Sequence, residues 1–208
     1  RQRQMCIRDS DYSIDLVDIS KQMLKQCQNS SINKVCKGML EFLTVQESCC
    51  YDAIVCTWAL MYEQPQKVLN QCQRLLKNGG YLYILVNDQQ TLPQIRKIYP
   101  KLLIEYVGSI NKLMFDLPMP NNAQQLERWA KKAGLKNCRV TSKKQEFYFT
   151  DWNRAAKFVT STGALAGYDA MLDLKNEKIF NTLVEQLQKF FTKPCITHHF
   201  VMGIFKKG

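Results

Sequence analysis

The stretch with the best claim to chemistry follows a short apolar run. Tyr51 and Asp52 open that run, Ala53 to Cys56 continue it, and Thr57 to Tyr62 lead to a proline-started amphipathic helix and a second apolar run, Tyr81 to Val86. Strand, helix and strand make one βαβ unit. Thr57 to Tyr62 must then cross the carboxyl edge of a parallel sheet, where doubly wound α/β folds bind ligands. Trp58 and Tyr62 are equally readable as core aromatics. An earlier acid, Asp18, closes the run YSIDLVDI just before a helix that Ser20 can cap. A helix dipole alone would favour an acid there.

Little base or metal chemistry is visible. The only histidines, His198 and His199, sit in the closing apolar run ITHHFVMGIF, where one must point into the core, so both are read as structural. The nine cysteines contain no C-x-x-C pair, so no metal site is expected. They are read as reduced structural thiols of a cytosol-like compartment. Hence no catalytic residue is assigned.

With 46% hydrophobic residues and 11% aromatics, the composition is that of a globular domain. No apolar run approaches the ~20 residues a membrane helix needs, and no signal peptide is visible, so a cytoplasmic location without membrane contact is expected. The net charge of +11 attracts polyanions, including nucleic acid and acidic carrier proteins. Its basic residues are scattered, Lys143-Lys144 among them, and no arginine run alternates with aromatics. Nucleic acid is therefore a possible partner but not the favoured one.

The elements that must position the site read in order as β-α-β-β-α-β-(α)-α-β-(αα)-β. Strands are expected at 12–19, 32–36, 51–56, 81–86, 138–149 and 196–205, the 51–56 strand buried. Helices are expected at 21–28, 65–77, 92–98 and 123–133, with a helical insertion over 151–191. Met39 to Glu47 reads as a loop. Asn78-Gly79-Gly80 reads as the left-handed stop of the 65–77 helix, and Asn121 or Asn122 as the cap of the 123–133 helix. Residues 1–10, RQRQMCIRDS, fit none of this and resemble a translated adapter remnant, a non-native tail. Residues 11–208 form a single domain. Its 151–191 insertion is read as a lid, with Gly163 and Gly167 as hinges or mere helix-end glycines.

These elements, with V-D-I-S, Y-D through L-M-Y and LLKNGGYLYI in this order, resemble a class I S-adenosylmethionine-dependent methyltransferase. Asn78 stands where that family usually has proline. The resemblance implies an α/β, Rossmann-like doubly wound sheet, mostly parallel with an antiparallel last strand, and S-adenosylmethionine as cofactor. It implies that Asp18 accepts hydrogen bonds from both ribose hydroxyls and that Ile19 packs on the adenine. The family's adenine-contacting acid is replaced by Met39, leaving that contact to the Leu40 backbone or to Glu41. Cys56, Thr57 and Leu60 would lie on the cofactor side, with Trp58, Met61 and Tyr62 toward the substrate.

The family's first strand and glycine-rich loop find no counterpart in residues 1–12. The sequence is therefore expected to be an N-terminally incomplete copy, unstable and inactive as written. Absent nucleic-acid amine and catalytic cysteine motifs favour a carboxylate or other oxygen acceptor. TLPQIRKIYP and ITHHFVMGIFKK are similar to malonyl-carrier-protein O-methyltransferases, which implies a small-molecule or acyl-carrier-bound substrate. An RNA or protein methyltransferase and a non-catalytic Rossmann-like partner subunit remain as alternatives.

Overall fold

The computed structural model describes residues 12–111, 117–162, 165 and 168–208. The 1–10 tail and the Gly163 and Gly167 hinges lie outside the described residues. The described residues form six strands: β1 (Ile14–Asp18), β2 (Ile32–Cys36), β3 (Tyr51–Thr57), β4 (Leu76–Asn87), β5 (Leu135–Tyr148) and β6 (Cys195–Lys207). The helices are α1 (Lys21–Gln26), α2 (Met39–Val45), α3 (Pro65–Leu75), α4 (Pro93–Glu105), α5 (Ala123–Lys132), α6 (Trp152–Ser161), α7 (Tyr168–Met171) and α8 (Glu177–Phe190).

β1 and β2 pair in parallel, as do β3 and β4, while β6 runs antiparallel between β4 and β5. The hydrogen-bonded orders are β1-β2 and β3-β4-β6-β5. This is the expected mixed α/β sheet with its antiparallel closing strand. Local chemistry sets several boundaries as read. Ser20 Oγ accepts from Met23 N and Asn122 Oδ1 from Gln125 N, while Gly134 leaves α5 at φ +82°.

Four expectations are corrected. Met39 to Val45 is a helix, because Phe42 and Leu43 bury one face and Arg74 of α3 fixes its carboxyl end through Leu43 O and Gln46 O, both at 2.8 Å. Gly79 does not stop α3, which ends at Leu75. Leu76 is drawn into the ladder opposite Tyr51, and the register then jumps to Ala53 opposite Tyr81. Asp52 alone faces Lys77 to Gly80 and accepts from Lys77 Nζ at 2.8 Å. The bulge needs Gly79 at φ +81° and Gly80 where a Cβ would lie 2.9 Å from Asp52 O.

α4 also extends well past residue 98. Proline inside a helix costs about 3 kcal/mol. Pro100 lies on the exposed face, however, and Ile95, Ile98, Tyr99 and Leu102 keep a buried stripe against α6 and α8. Lastly, β3 is not a buried strand. Cys56 is buried, but Val55 is 68% exposed. Among the described residues no strand pairs with the other edge of β3, and no helix covers Val55 and its neighbour Tyr83.

Two cores hold the molecule together. One lies between the sheet, α2, α3 and α5, around Leu69, Leu75, Leu82, Leu126 and Phe205. The other joins α4, α6 and α8 around Ile98, Trp152, Val159 and Leu183. Gly203 marks how tightly the first is filled. A Cβ there would stand 2.5 Å from Phe205 Cε2 and 3.2 Å from Leu126 Cδ2.

Gly203→Ala is expected to lower stability by ~1–3 kcal/mol through overpacking. Gly79→Ala has room but the wrong φ, and should cost about 1–2 kcal/mol. Urea melts in which Gly203→Ala matched wild type would contradict this packing.

Candidate functional site

The carboxyl ends of β1 and β3 lie on the same side of the molecule. At their amino ends, Tyr51 Oη donates to Asp15 Oδ2 at 2.6 Å. At the other ends, Cys56 Sγ stands 3.9 Å from Met39 Sδ, on the first turn of α2. This brings Asp18, Ile19, Met39, Cys56 and Thr57 to one edge. Asp18 Oδ1 accepts from Ser20 N at 2.7 Å, which orients the carboxylate, while Oδ2 has no partner among the described residues. Ile19 is 78% exposed, an apolar ledge beside that acid. Leu40 is half-buried against the core, and Glu41 pairs with Lys37 at 3.6 Å. Leu60 is fully buried, so its side chain belongs to the core rather than to this edge.

The turn out of β3 is strained. Trp58 has φ +56°, a region that bulky side chains avoid. Its N–H donates to Leu85 O at 2.7 Å, so the β4 backbone holds the turn. The indole is thereby thrown across the edge of the sheet, meeting Phe200 edge to face at 5.7 Å.

There Trp58, Met61 and Tyr62 line one cavity of about 440 Å³ together with Asn87 at the carboxyl end of β4. Its remaining walls come from far along the chain: Gln145 and Phe147 of β5, Phe158 of α6 with Thr162 just past its end, and His198 and Phe200 of β6. The two-residue strand period explains the selection. Gln145 and Phe147 face in, while Lys144, Glu146 and Tyr148 form an exposed hydrogen-bonded trio. His198 and Phe200 face in; Thr197 instead bonds Gln94, and the backbone N–H of His199 bonds Thr91 Oγ1.

Two buried polar atoms in this lining, Asn87 Oδ1 and His198 Nε2, have no partner among the described residues. An unsatisfied buried acceptor costs ~1–3 kcal/mol, so the pair calls for an explanation. Burial also pushes His198 below the usual imidazole range, which keeps it neutral near pH 7. The sequence reading of His198 as structural is incomplete: Phe147 and Phe158 do pack on its ring, but it also lines the cavity. Lys143, Lys144 and His199 belong to a separate polar cavity of about 240 Å³ beside Asp88.

Among the described residues no cluster could hold a metal ion, and no helix is long and apolar enough to cross a membrane. Residues 3–84 match the family model described as a methyltransferase domain. No curated protein sequence matches. Among solved structures, a putative methyltransferase from Bacillus halodurans superposes with TM-score 0.57 at 12% identity, covering 94% of this chain and 83% of its own. A putative sarcosine dimethylglycine methyltransferase from Galdieria sulphuraria gives 0.52 at 16% identity, over 94% and 70% of the chains. A structure described as a 4+2 cyclase gives 0.54 at 13% identity, over 96% and 67%. Residues 3–84 are thus similar to a methyltransferase domain, and the fold of the chain is shared with these methyltransferase structures. The cyclase is a reminder that a shared fold does not select a reaction.

Burial holds the Cys56 thiol up at about 11, whereas Cys36 and Cys138 are exposed. In the native protein Cys56 should therefore resist alkylation at pH 8 while those two label. Equal labelling rates by peptide mass spectrometry would contradict this placement.

Proposed function

We propose that this chain transfers a methyl group from S-adenosylmethionine to an oxygen of a small molecule held in the aromatic cavity. The observation that carries the reading is the turn at Trp58. Its side chain, with Met61 and Tyr62, lines a substrate-sized cavity directly after the Cys56-Thr57 end of β3. The residues present fit the cofactor. Asp18 offers an oriented carboxylate with one oxygen unpartnered, suited to a ribose diol, and Ile19 offers an exposed apolar surface for a flat ring. Met39 and Cys56 form an uncharged sulfur-lined floor between α2 and β3. When bound, the cofactor supplies a methyl carbon on a sulfonium, whose charge is lost on transfer.

The chain's own contribution is positioning. Charge at the acceptor oxygen and proximity of the two reactants decide the rate of such a displacement. α6, within the 151–191 segment, lines one wall of the cavity through Phe158, with Thr162 at its carboxyl end. Carrier-bound acceptors would reach the cavity from its open side, and the net charge of +11 attracts acidic partners to the chain. Nothing in the site favours RNA or protein as acceptor.

In the full-length chain, Asp18→Ala should weaken S-adenosylmethionine binding by ~1.5–3 kcal/mol, the worth of hydrogen bonds to a charged group. Its melting curve should stay close to wild type, since Asp18 anchors only the Ser20 turn. Calorimetric affinities that did not differ would remove Asp18 from the site.

A further inference from the structure

The lining of the cavity narrows the acceptor. Its walls are aromatic: Trp58, Phe147, Phe158 and Phe200. The described lining residues include no lysine and no arginine, so a carboxylate entering here would lose its hydration without gaining a counter-charge. Of the two unpartnered polar atoms, Asn87 Oδ1 is a lone-pair acceptor, and His198 Nε2 is one in the neutral tautomer that carries its proton on Nδ1. Apolar walls with two buried acceptors match a flat ring that brings hydrogen-bond donors. They suit an anion poorly, since the described lining offers it only neutral polar groups, among them those of Tyr62, Asn87, Gln145 and Thr162, and no cation.

We propose that the acceptor is a neutral aromatic hydroxyl compound, a phenol or naphthol in class, with His198 Nε2 taking the hydroxyl proton. The inference rests on the methyltransferase reading above. As the hydroxyl oxygen bonds to the methyl carbon, the O–H proton passes to Nε2. The electron pair of the broken carbon–sulfur bond stays on sulfur. The products are an aryl methyl ether, a neutral thioether and an imidazolium, which returns its proton to solvent. Asn87 accepts from a second donor on the ring or holds the first in line. This replaces the carboxylate expectation with a hydroxyl that needs a base, and His198 is the base the cavity offers.

The test uses the full-length chain with S-adenosylmethionine and three probes: 2-naphthol, 2-naphthoate and a fluorinated naphthol that is more acidic than 2-naphthol but still neutral at pH 7. Naphthol should bind, quench a tryptophan signal that Trp58→Phe removes, and be methylated at least tenfold faster than naphthoate. His198→Gln should lose about a hundredfold in turnover of naphthol, the scale of a lost general base. It should lose less with the fluorinated naphthol, whose more acidic hydroxyl depends less on a base. S-adenosylmethionine affinity and melting curve report whether that variant folds, and the naphthol–naphthoate comparison on wild type stands if it does not. Preference for naphthoate, or equal losses of His198→Gln on both hydroxyl probes, would overturn the proposal. So would cofactor binding without naphthol binding, and that outcome leaves the methyltransferase reading intact. Absence of cofactor binding to wild type would overturn both.

Discussion

The site depends on one backbone constraint, the left-handed turn at Trp58. β3 has to end where β4 still offers a carbonyl, because Trp58 N–H is satisfied by Leu85 O at 2.7 Å. Holding a bulky residue at φ +56° costs on the order of 1–3 kcal/mol. The cost is met by the parallel pairing of β3 with β4 and by the burial of Leu60 and Met61 just beyond the turn. Without the turn, the indole would not reach Phe200, and the cavity would lose a wall.

The same economy of backbone runs through the rest of the molecule. β6 lies between β4 and β5, so each inward residue of one strand meets the next on the same face. Asn87 stands opposite Phe200, and Gln145 opposite His198. One strand period therefore lines the cavity with His198 and Phe200 and ties the other face to α4 through Thr197 and Gln94. α6 closes the arrangement because its buried side, Trp152 to Val159, is fixed in the core shared with α4 and α8. Charge stays outside: the Lys144–Glu146 pair lies on the exposed face of β5, within three residues of the aromatic lining. A strongly basic protein thus keeps an uncharged cavity.

Local signals were legible in the sequence. The Tyr51–Val86 unit, the Ser20 cap and a cap at Asn121 or Asn122 follow from patterns within a few residues, whereas the antiparallel closing strand follows only from the family resemblance. Trp58, Met61 and Tyr62 were legible as a group because one turn carries them. The opposite wall was not, since Phe147, Phe158 and His198 are brought to Trp58 by strand order alone. Alternation in QEFYF and ITHHF marks inward residues but does not say what they face. α2 was missed because its apolar pair, Phe42 and Leu43, is short and its partner Arg74 is distant in sequence. Gly79 was misread because a glycine at positive φ serves a bulge as well as a helix end. Val55 reads as buried from its apolar neighbours. Its exposure depends on which strands and helices flank β3, which no local pattern reports.

In the proposed function the β1 and β3 carboxyl edge holds the methyl donor and the aromatic cavity holds the acceptor. A crystal structure of the full-length chain with S-adenosylhomocysteine tests it most directly. Both ribose hydroxyls are expected within ~2.7–3.2 Å of the Asp18 carboxylate, with the adenine against Ile19 and the sulfur facing the cavity beside Trp58. Product bound elsewhere, with Asp18 untouched and the sulfur turned away from that cavity, would contradict it.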